Sequence, residues 1–379
     1  VLEGAKKRGK ATGLISTSRI THATPAAYAC HIDDRGKDNE IMEHLVYQDI
    51  DVVFGGGKRH LIPKADGGKR TDGENLLDVL TMDRGYQFVE TADQLAAVIS
   101  GRVWGLFASS HMEADIDRAV FAPDQPSIAE MTEKAIDLLS QNRRGFFLMV
   151  EGSQVDWAGH ANDPIYMITD FLAFDAAVKE AMDYADQHPN TLVMVFPDHN
   201  TGAMSIGHEQ SEYPPGYTDT TIEDLVEPLA GMKISSTGLA RKLDEVAEPG
   251  ELSDVDAVKQ TILDWWGLEI TNEDAETILS FPGYYDNFDA YPIAEYISKH
   301  HTIFGWTTHG HTGEDVPLWS YGRKRPVGLF DNTELAEIVA SGFNFKLLGT
   351  GMWKEYPESV LDTTDLDANP IATINGVQY

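Results

Sequence analysis

The stretch Phe146-Phe-Leu-Met-Val-Glu-Gly-Ser-Gln-Val-Asp-Trp-Ala-Gly-His160 runs from a purely apolar segment straight into a polar one. Five consecutive apolar residues, Phe146 to Val150, have the length and composition of a strand buried on both faces. The residues that follow are then those just beyond its carboxyl end, where open α/β sheets carry their sites. If a helix starts near Ser153, Asp156 and His160 stand four residues apart and share one face. A carboxylate and an imidazole so placed can chelate a divalent transition metal. Alone, such a pair is weak evidence, because by chance it is more often a solvated helix face.

Working outward, the same alternation repeats. Gly13–Ser18, Asp51–Gly55, Trp104–Ala108 and Thr191–Phe196 read as further buried strands, and Val316–Tyr321 as another. Helical periods separate them, over Ser127–Gln141, Ile165–Gln187 and Asn332–Ser341. In the second of these, Ile168, Phe171, Leu172, Val178 and Met182 recur at helical spacing and read as core. Strands alternating with helices imply an α/β fold, a mostly parallel sheet covered by helices on both faces in three α/β/α layers. Residues 204–304 break the rhythm. They are rich in Tyr, Pro, Asp and Glu, with helical pieces at Asp254–Trp266 and Pro292–His300. They read as an insertion folded over a core made of residues 1–203 and 305–379.

The composition narrows the function. The chain has 379 residues, 61 acidic against 29 basic side chains, and a formal charge of -32. Phosphate backbones and anionic membrane faces both demand clustered Lys and Arg, so neither nucleic acid nor a membrane surface is an expected partner. Strong acidity keeps a protein soluble in salt and suggests a salt-rich habitat. Cys30 stands alone, which excludes an internal disulfide and a thiolate zinc site. No apolar run approaches the length of a membrane span. The first residues, Val-Leu-Glu-Gly-Ala-Lys-Lys-Arg, lack the apolar stretch of a signal peptide and read as an amphipathic helix.

Two more clusters match the first. Asp198-His199 ends the Thr191–Phe196 strand, and His309-Gly-His311 sits in a small-residue loop before the Val316–Tyr321 strand. Each has a plain reading, a capping Asp beside a surface His and a polar turn. Taken together, the carboxylates Glu151, Asp156 and Asp198 with the imidazoles His160, His199 and His311 suggest two or three neighbouring cations. This mixture of borderline and hard ligands fits zinc with a magnesium neighbour. Paired cations about 4 Å apart suit phosphoryl transfer. Arg35, beyond the Gly13–Ser18 strand and the His22-Ala-Thr24-Pro loop, supplies the cationic fork a phosphate needs. His208, His300, His301 and His309 read as surface or loop residues rather than ligands.

With these residues in hand, the sequence resembles the alkaline phosphatase family over nearly its whole length, apart from 204–304. His22-Ala-Thr24-Pro-Ala-Ala with Arg35, Asp51-Val-Val-Phe-Gly-Gly-Gly, Arg70-Thr-Asp-Gly-Glu-Asn-Leu and Gly105-Leu-Phe-Ala-Ser-Ser-His-Met resemble family segments, in order. So do Glu151 to Asp163, Asp198-His199 and His311-Thr-Gly-Glu-Asp-Val-Pro. The resemblance implies that Asp156, His160 and His311 bind one zinc and Asp198 and His199 a second. Glu151 and Thr24 would hold magnesium, and Arg35 would grip phosphate. His22 and Trp157 would tune the third metal and phosphate release, a pair similar to that of marine bacterial members. It also implies phosphate monoester substrates, a homodimer, a periplasmic or secreted location, and a crown-like role for 204–304.

One departure stands out. The family's nucleophilic serine lies in an Asp-Ser-Ala-type motif ahead of the His-Ala-Thr segment, and these residues contain no Asp-Ser-Ala. Ser153 lies inside the metal motif and reads as structural. The expectation is a serine-bearing N-terminal segment outside these residues, as a separate chain, a cleaved piece or a part left off. Two rivals remain at this level. One is a phosphodiesterase, sulfatase or phosphomutase on the same sheet, although sulfatases need Cys-x-Pro-x-Arg and Cys30 sits in Ala-Cys-His. The other is a metal- and phosphate-binding protein without turnover.

Overall fold

The computed structural model describes residues 1–207, 221–281, 287–345 and 347, and the strand pair Thr373–Ile374 with Val377–Gln378. His208 lies outside the described residues, as does most of the chain beyond 345.

Five strands form the central sheet: β1 (Ala11–Arg19), β2 (Val52–Gly56), β3 (Gln87–Val89), β4 (Val103–Ala108) and β5 (Phe146–Glu151). Their order is β3-β4-β2-β1-β5 and every pairing is parallel. Parallel neighbours need a crossover, and helices fill that role on both faces. Successive residues of a strand point to opposite sides, so each strand feeds two cores. Leu14, Val53, Trp104, Phe147 and Met149 join one, with the Leu2–Lys7, Ala23–Ala29 and Asp38–Tyr47 helices. Ile15, Val52, Phe54, Val103 and Phe107 join the other, beneath the Ile128–Leu139 helix. The expected three layers are therefore present. The Ile128–Leu139 helix opens on a capping box, with Ser127 and Glu130 each satisfying the other's backbone N–H. Asp163 caps the long Pro164–Gln187 helix, which carries Pro at its first position.

Two expectations need correction. The strand foreseen at Thr191–Phe196 forms as β6 (Leu192–Val195), but it is only half-buried and makes no ladder with β5. Its partner is β11 (Trp319–Gly322), antiparallel, in a separate two-stranded sheet. An apolar run fixes a strand; which neighbour it finds depends on distant chain. The second correction concerns Phe171 and Leu172, which are 54% and 60% exposed rather than core. The stripe of that helix that packs on the sheet is Ala173, Phe174 and Ala177. Phe174 with two alanines carries the contact, and Phe171 and Leu172 fall on another face.

The short strands β7 (Asn200–Thr201), β8 (Ser205–Ile206), β9 (Phe304–Gly305) and β10 (His311–Thr312) pair β7 with β10 and β8 with β9. Between β8 and β9 the described helices build a third core from Leu229, Ile234, Leu239, Val258, Trp266, Ile278 and Ile293, into which Ile165 reaches. Two buried carboxylates tie this unit down. Asp117 accepts the Ser235 N–H (2.7 Å) and hydroxyl (2.5 Å), and Asp163 accepts the Ser236 N–H at 2.7 Å. Both acceptors sit at the start of the Ser236–Leu243 helix, where N–H groups lack helical partners.

Burial pushes the Asp117 carboxyl up to about 6, against the lowering effect of the Ser235 bonds. A raised folded-state value means stability is fullest below the unfolded value near 3.8 and falls as pH rises through 6. Between pH 4 and 7 the wild type should therefore lose up to about 3 kcal/mol more than Asp117→Asn. Urea unfolding of both at each pH measures this, and parallel profiles would show that Asp117 does not titrate there.

Candidate metal centre

β5 ends at Glu151, and the chain turns at once into the Gln154–Ala161 helix that carries Asp156 and His160. Glu151 is held by hydroxyls: Oε2 accepts from Ser16 (2.7 Å) and Ser153 (2.8 Å), and the two serines lie 2.8 Å apart. Ser153 is thus structural, as the sequence suggested. The helix stops at Asn162, which takes φ 57° at the left-handed position. Asn162 Nδ2 donates to the Gly159 carbonyl at 2.8 Å and the Thr308 carbonyl at 2.9 Å. The helix end is thereby tied to the loop that carries His311.

Three chain segments meet here. The Gly202 N–H donates to the Gly310 carbonyl and the Thr307 N–H to the Gly202 carbonyl, both at 3.0 Å, while β7 and β10 set Thr201 opposite His311. Close approach needs glycine at two points. A Cβ on Gly159 would lie 2.7 Å from the Thr201 oxygen, and one on Gly202 would lie 2.6 Å from the Gly159 oxygen. His160 Nδ1 lies 2.5 Å from the His309 carbonyl, and His309 Nδ1 lies 2.7 Å from the His160 carbonyl. With Nδ1 turned to a carbonyl, Nε2 is the ring atom that faces Asp156 and could bind metal, the usual arrangement of a metal-bound histidine.

These bonds gather the ligands. One ligand atom from each of Asp156, His199 and His311 lies within 4.8 Å of the others. His160 Nε2 is 3.4 Å from Asp156, His311 Nε2 is 3.6 Å from Asp156, and the His199 and His311 rings stack at 3.5 Å. Asp156 and His311 of one foreseen set thus lie beside His199 of the other. Asp198 stands beside His199 at 3.4 Å with its side chain mostly in solvent. Thr201 Oγ1 donates to Asp156 at 2.5 Å and lies 3.2 Å from His199 Nδ1.

A second group borders the first. His22 precedes the Ala23–Ala29 helix, whose first turn includes Thr24. Its ring meets Trp157 edge-on at 5.7 Å, and Arg35 Nη2 reaches its Nε2 at 3.1 Å. His111, just beyond β4, packs on Trp157 at 4.5 Å and accepts the Arg19 backbone N–H at 3.1 Å. Arg19 in turn donates to Asp38 at 2.7 Å. Burial, then the nearby arginines, pushes both His22 and His111 down to about 4, so both are neutral at pH 7. The buried His22 Nδ1 has no hydrogen-bond partner.

The sequence reading missed the supporting roles of Thr201, Asn162 and His111, although the last two lie in segments it singled out. His309, read there as a loop residue, is one, and its ring braces His160. Imidazole and carboxylate donors, a His160 Nε2 that faces Asp156 and an orphaned His22 nitrogen fit a site that holds metal ions.

A parallel α/β sheet whose strand ends gather imidazoles, carboxylates and a guanidinium defines a metal-dependent hydrolase of the phosphoryl-transfer class. The alkaline phosphatase family model matches residues 1–344. Alkaline phosphatase 3 of Bacillus subtilis is 35% identical over 355 residues, covering 92% of this chain and 71% of the relative. The repressible alkaline phosphatase of Saccharomyces cerevisiae is 31% identical, covering 98% and 71%. Among solved structures, Thermus thermophilus alkaline phosphatase aligns with a TM-score of 0.77 at 28% identity, over 90% of this chain and 73% of its own. The cold-active alkaline phosphatase from Shewanella sp. aligns at 0.71 and 29% identity, over 90% and 77%. The chain belongs to the alkaline phosphatase family. It is a phosphomonoesterase.

Gly159→Ala should force Thr201 away and cost about 1–3 kcal/mol, the usual price of overpacking. Zinc affinity should fall with it. Urea unfolding and zinc titration test this, and unchanged values in both would show the approach to be loose.

Proposed function

We propose that this chain hydrolyses phosphate monoesters at a site for two zinc ions and one magnesium. Asp156, His160 and His311 would hold one zinc, Asp198 and His199 the other, and Glu151 with Thr24 the magnesium. The observation that carries the reading is the meeting of Asp156, His199 and His311, from three distant segments, with ligand atoms within 4.8 Å. Bound metal would lower the pKa of water and neutralise charge developing on the phosphate and the leaving oxygen.

Arg35 would bind two phosphate oxygens in bidentate fashion and orient the phosphorus for in-line attack. His22, neutral and in contact with Arg35, would hold that guanidinium without competing for its charge. Trp157, wedged between His22 and His111, would restrict the approach to the phosphate. The attacking group would be a serine outside these 379 residues, supplied by an upstream segment of the protein, covalently joined or separate. Its oxygen bonds to phosphorus as the ester oxygen leaves and takes up a proton. Water then cleaves the phosphoserine and releases phosphate.

The same reading makes the enzyme a secreted or periplasmic homodimer in salty surroundings, with 204–304 in a crown-like role. A charge of -32 supports the salt-rich setting, because screening by salt removes the repulsion between an acidic surface and a phosphate ester.

The test compares hydrolysis of p-nitrophenyl phosphate, its diester and its sulfate by the chain with and without its upstream segment. Monoester cleavage that requires the segment supports the reading, and a preference for diester or sulfate overturns it. Zinc binding with no turnover in the presence of the segment overturns the reading as well. His311→Ala should lose about one zinc per chain, since two protein ligands rarely retain it; unchanged zinc content by elemental analysis would refute the assignment. Arg35→Ala should weaken phosphate binding by roughly 1.5–3 kcal/mol. Product inhibition measures it, and unaltered inhibition would remove Arg35 from the site.

A further inference from the structure

Against the Asp38–Tyr47 helix lies a second group of carboxylates. Glu43 comes from that helix, and Asp72 and Glu74 come from the Arg70-Thr-Asp-Gly-Glu turn. One oxygen from each lies within 4.8 Å of the other two. A single cation, the fully buried Arg70, serves all three. Its Nε donates to Asp72 at 3.2 Å and its Nη1 to the Asn39 carbonyl at 3.0 Å. Nη2 contacts Asp72 closely but reaches Glu43 and Glu74 only at 3.4 Å.

An acidic cluster at a surface needs no cation. This one differs at Glu43. Its side chain is 3% exposed, and Oε1 has no hydrogen-bond partner of any kind. A buried carboxylate oxygen without a donor is among the costlier features a fold can carry. Burial, then the charge of nearby Glu74, pushes the Glu43 carboxyl up to about 8, because one guanidinium does not balance the acids crowded on it. Glu74 is held in place from its other side, where Oε1 accepts the Tyr47 hydroxyl at 3.1 Å.

We propose that Glu43, Asp72 and Glu74 form a site for one hard divalent cation, Ca2+ or Mg2+, apart from the catalytic ions. All three ligands are oxygens, the donor set these ions prefer. A divalent ion would take the place of the Glu43 proton and relieve the crowding of negative charge. The open side faces Asp72 and Glu74, whose side chains are each 27% exposed, leaving room for water ligands. The cation would clamp the 70–75 turn to the helix whose first residue, Asp38, holds Arg19. Its role is to brace the scaffold beneath His111, not to touch substrate.

The experiment uses the full chain with its zinc and magnesium loaded. Ca2+ binding is counted by equilibrium dialysis, and Tb3+ serves as an oxygen-seeking probe excited through the neighbouring Tyr47. Wild type should bind about one more Ca2+ than either Glu43→Gln or Asp72→Asn. It should also show Tb3+ emission that Ca2+ displaces and that Tyr47→Phe diminishes. Zinc content should be the same in all of them. Asp72 is partly exposed, so Asp72→Asn keeps the test valid if Glu43→Gln misfolds. Equal Ca2+ counts in wild type and Asp72→Asn, or Tb3+ emission indifferent to both substitutions, would overturn the proposal.

Discussion

The site depends on hydrogen bonds to backbone carbonyls that staple three segments together at the carboxyl edge of the sheet. Asn162 ends the Gln154–Ala161 helix in the left-handed conformation and reaches across to the Thr308 carbonyl. His160 and His309 exchange side-chain-to-carbonyl bonds, and Gly202 bonds to Gly310 and Thr307. None of these interactions involves the atoms that would bind a metal. They fix where those atoms are, so the ligands arrive already close, and little ordering entropy is left for the metal to overcome. Glycine at 159 and 202 is the condition for it, because any side chain there would push the segments apart.

Behind this edge stands a second layer of support. Asp38 holds Arg19, Arg19 contacts His111, and His111 packs on Trp157 beside His22. Neutral imidazoles suit that role. Burial and the neighbouring arginines keep both uncharged, so they pack as flat, weakly polar surfaces. The strong charges are kept for the ligands themselves and for Arg35. With a charge of -32, long-range attraction brings no anionic substrate in; recognition is confined to these few groups.

Comparison of sequence with structure is instructive at particular residues. β2 and β4 were legible because a strand buried on both faces is apolar nearly throughout. β5 showed the same apolar run although alternate residues are only half-buried, and β1 mixes its apolar residues with buried Thr12, Ser16 and Ser18. The Ile128–Leu139 helix was legible from Ser127 and Glu130, a local device. β3, three residues long, left no pattern to read. Phe171 and Leu172 misled because periodicity marks an apolar stripe without saying which stripe meets a neighbour. β6 was found as a strand but placed in the wrong sheet, since its pairing with β11 joins residues more than a hundred positions apart.

By itself, then, the sequence determined the element types, the parallel sheet, and the residue types able to bind metal. Asp156 and His160 could be placed on one face because helical spacing is local. Only the tertiary structure decided that His199 and His311 stack beside Asp156, and that Thr201, Asn162, His309 and His111 hold the ligands. The reason is range. Backbone periodicity and capping act over a few residues, while the staples join positions up to 149 apart and depend on how the whole chain packs.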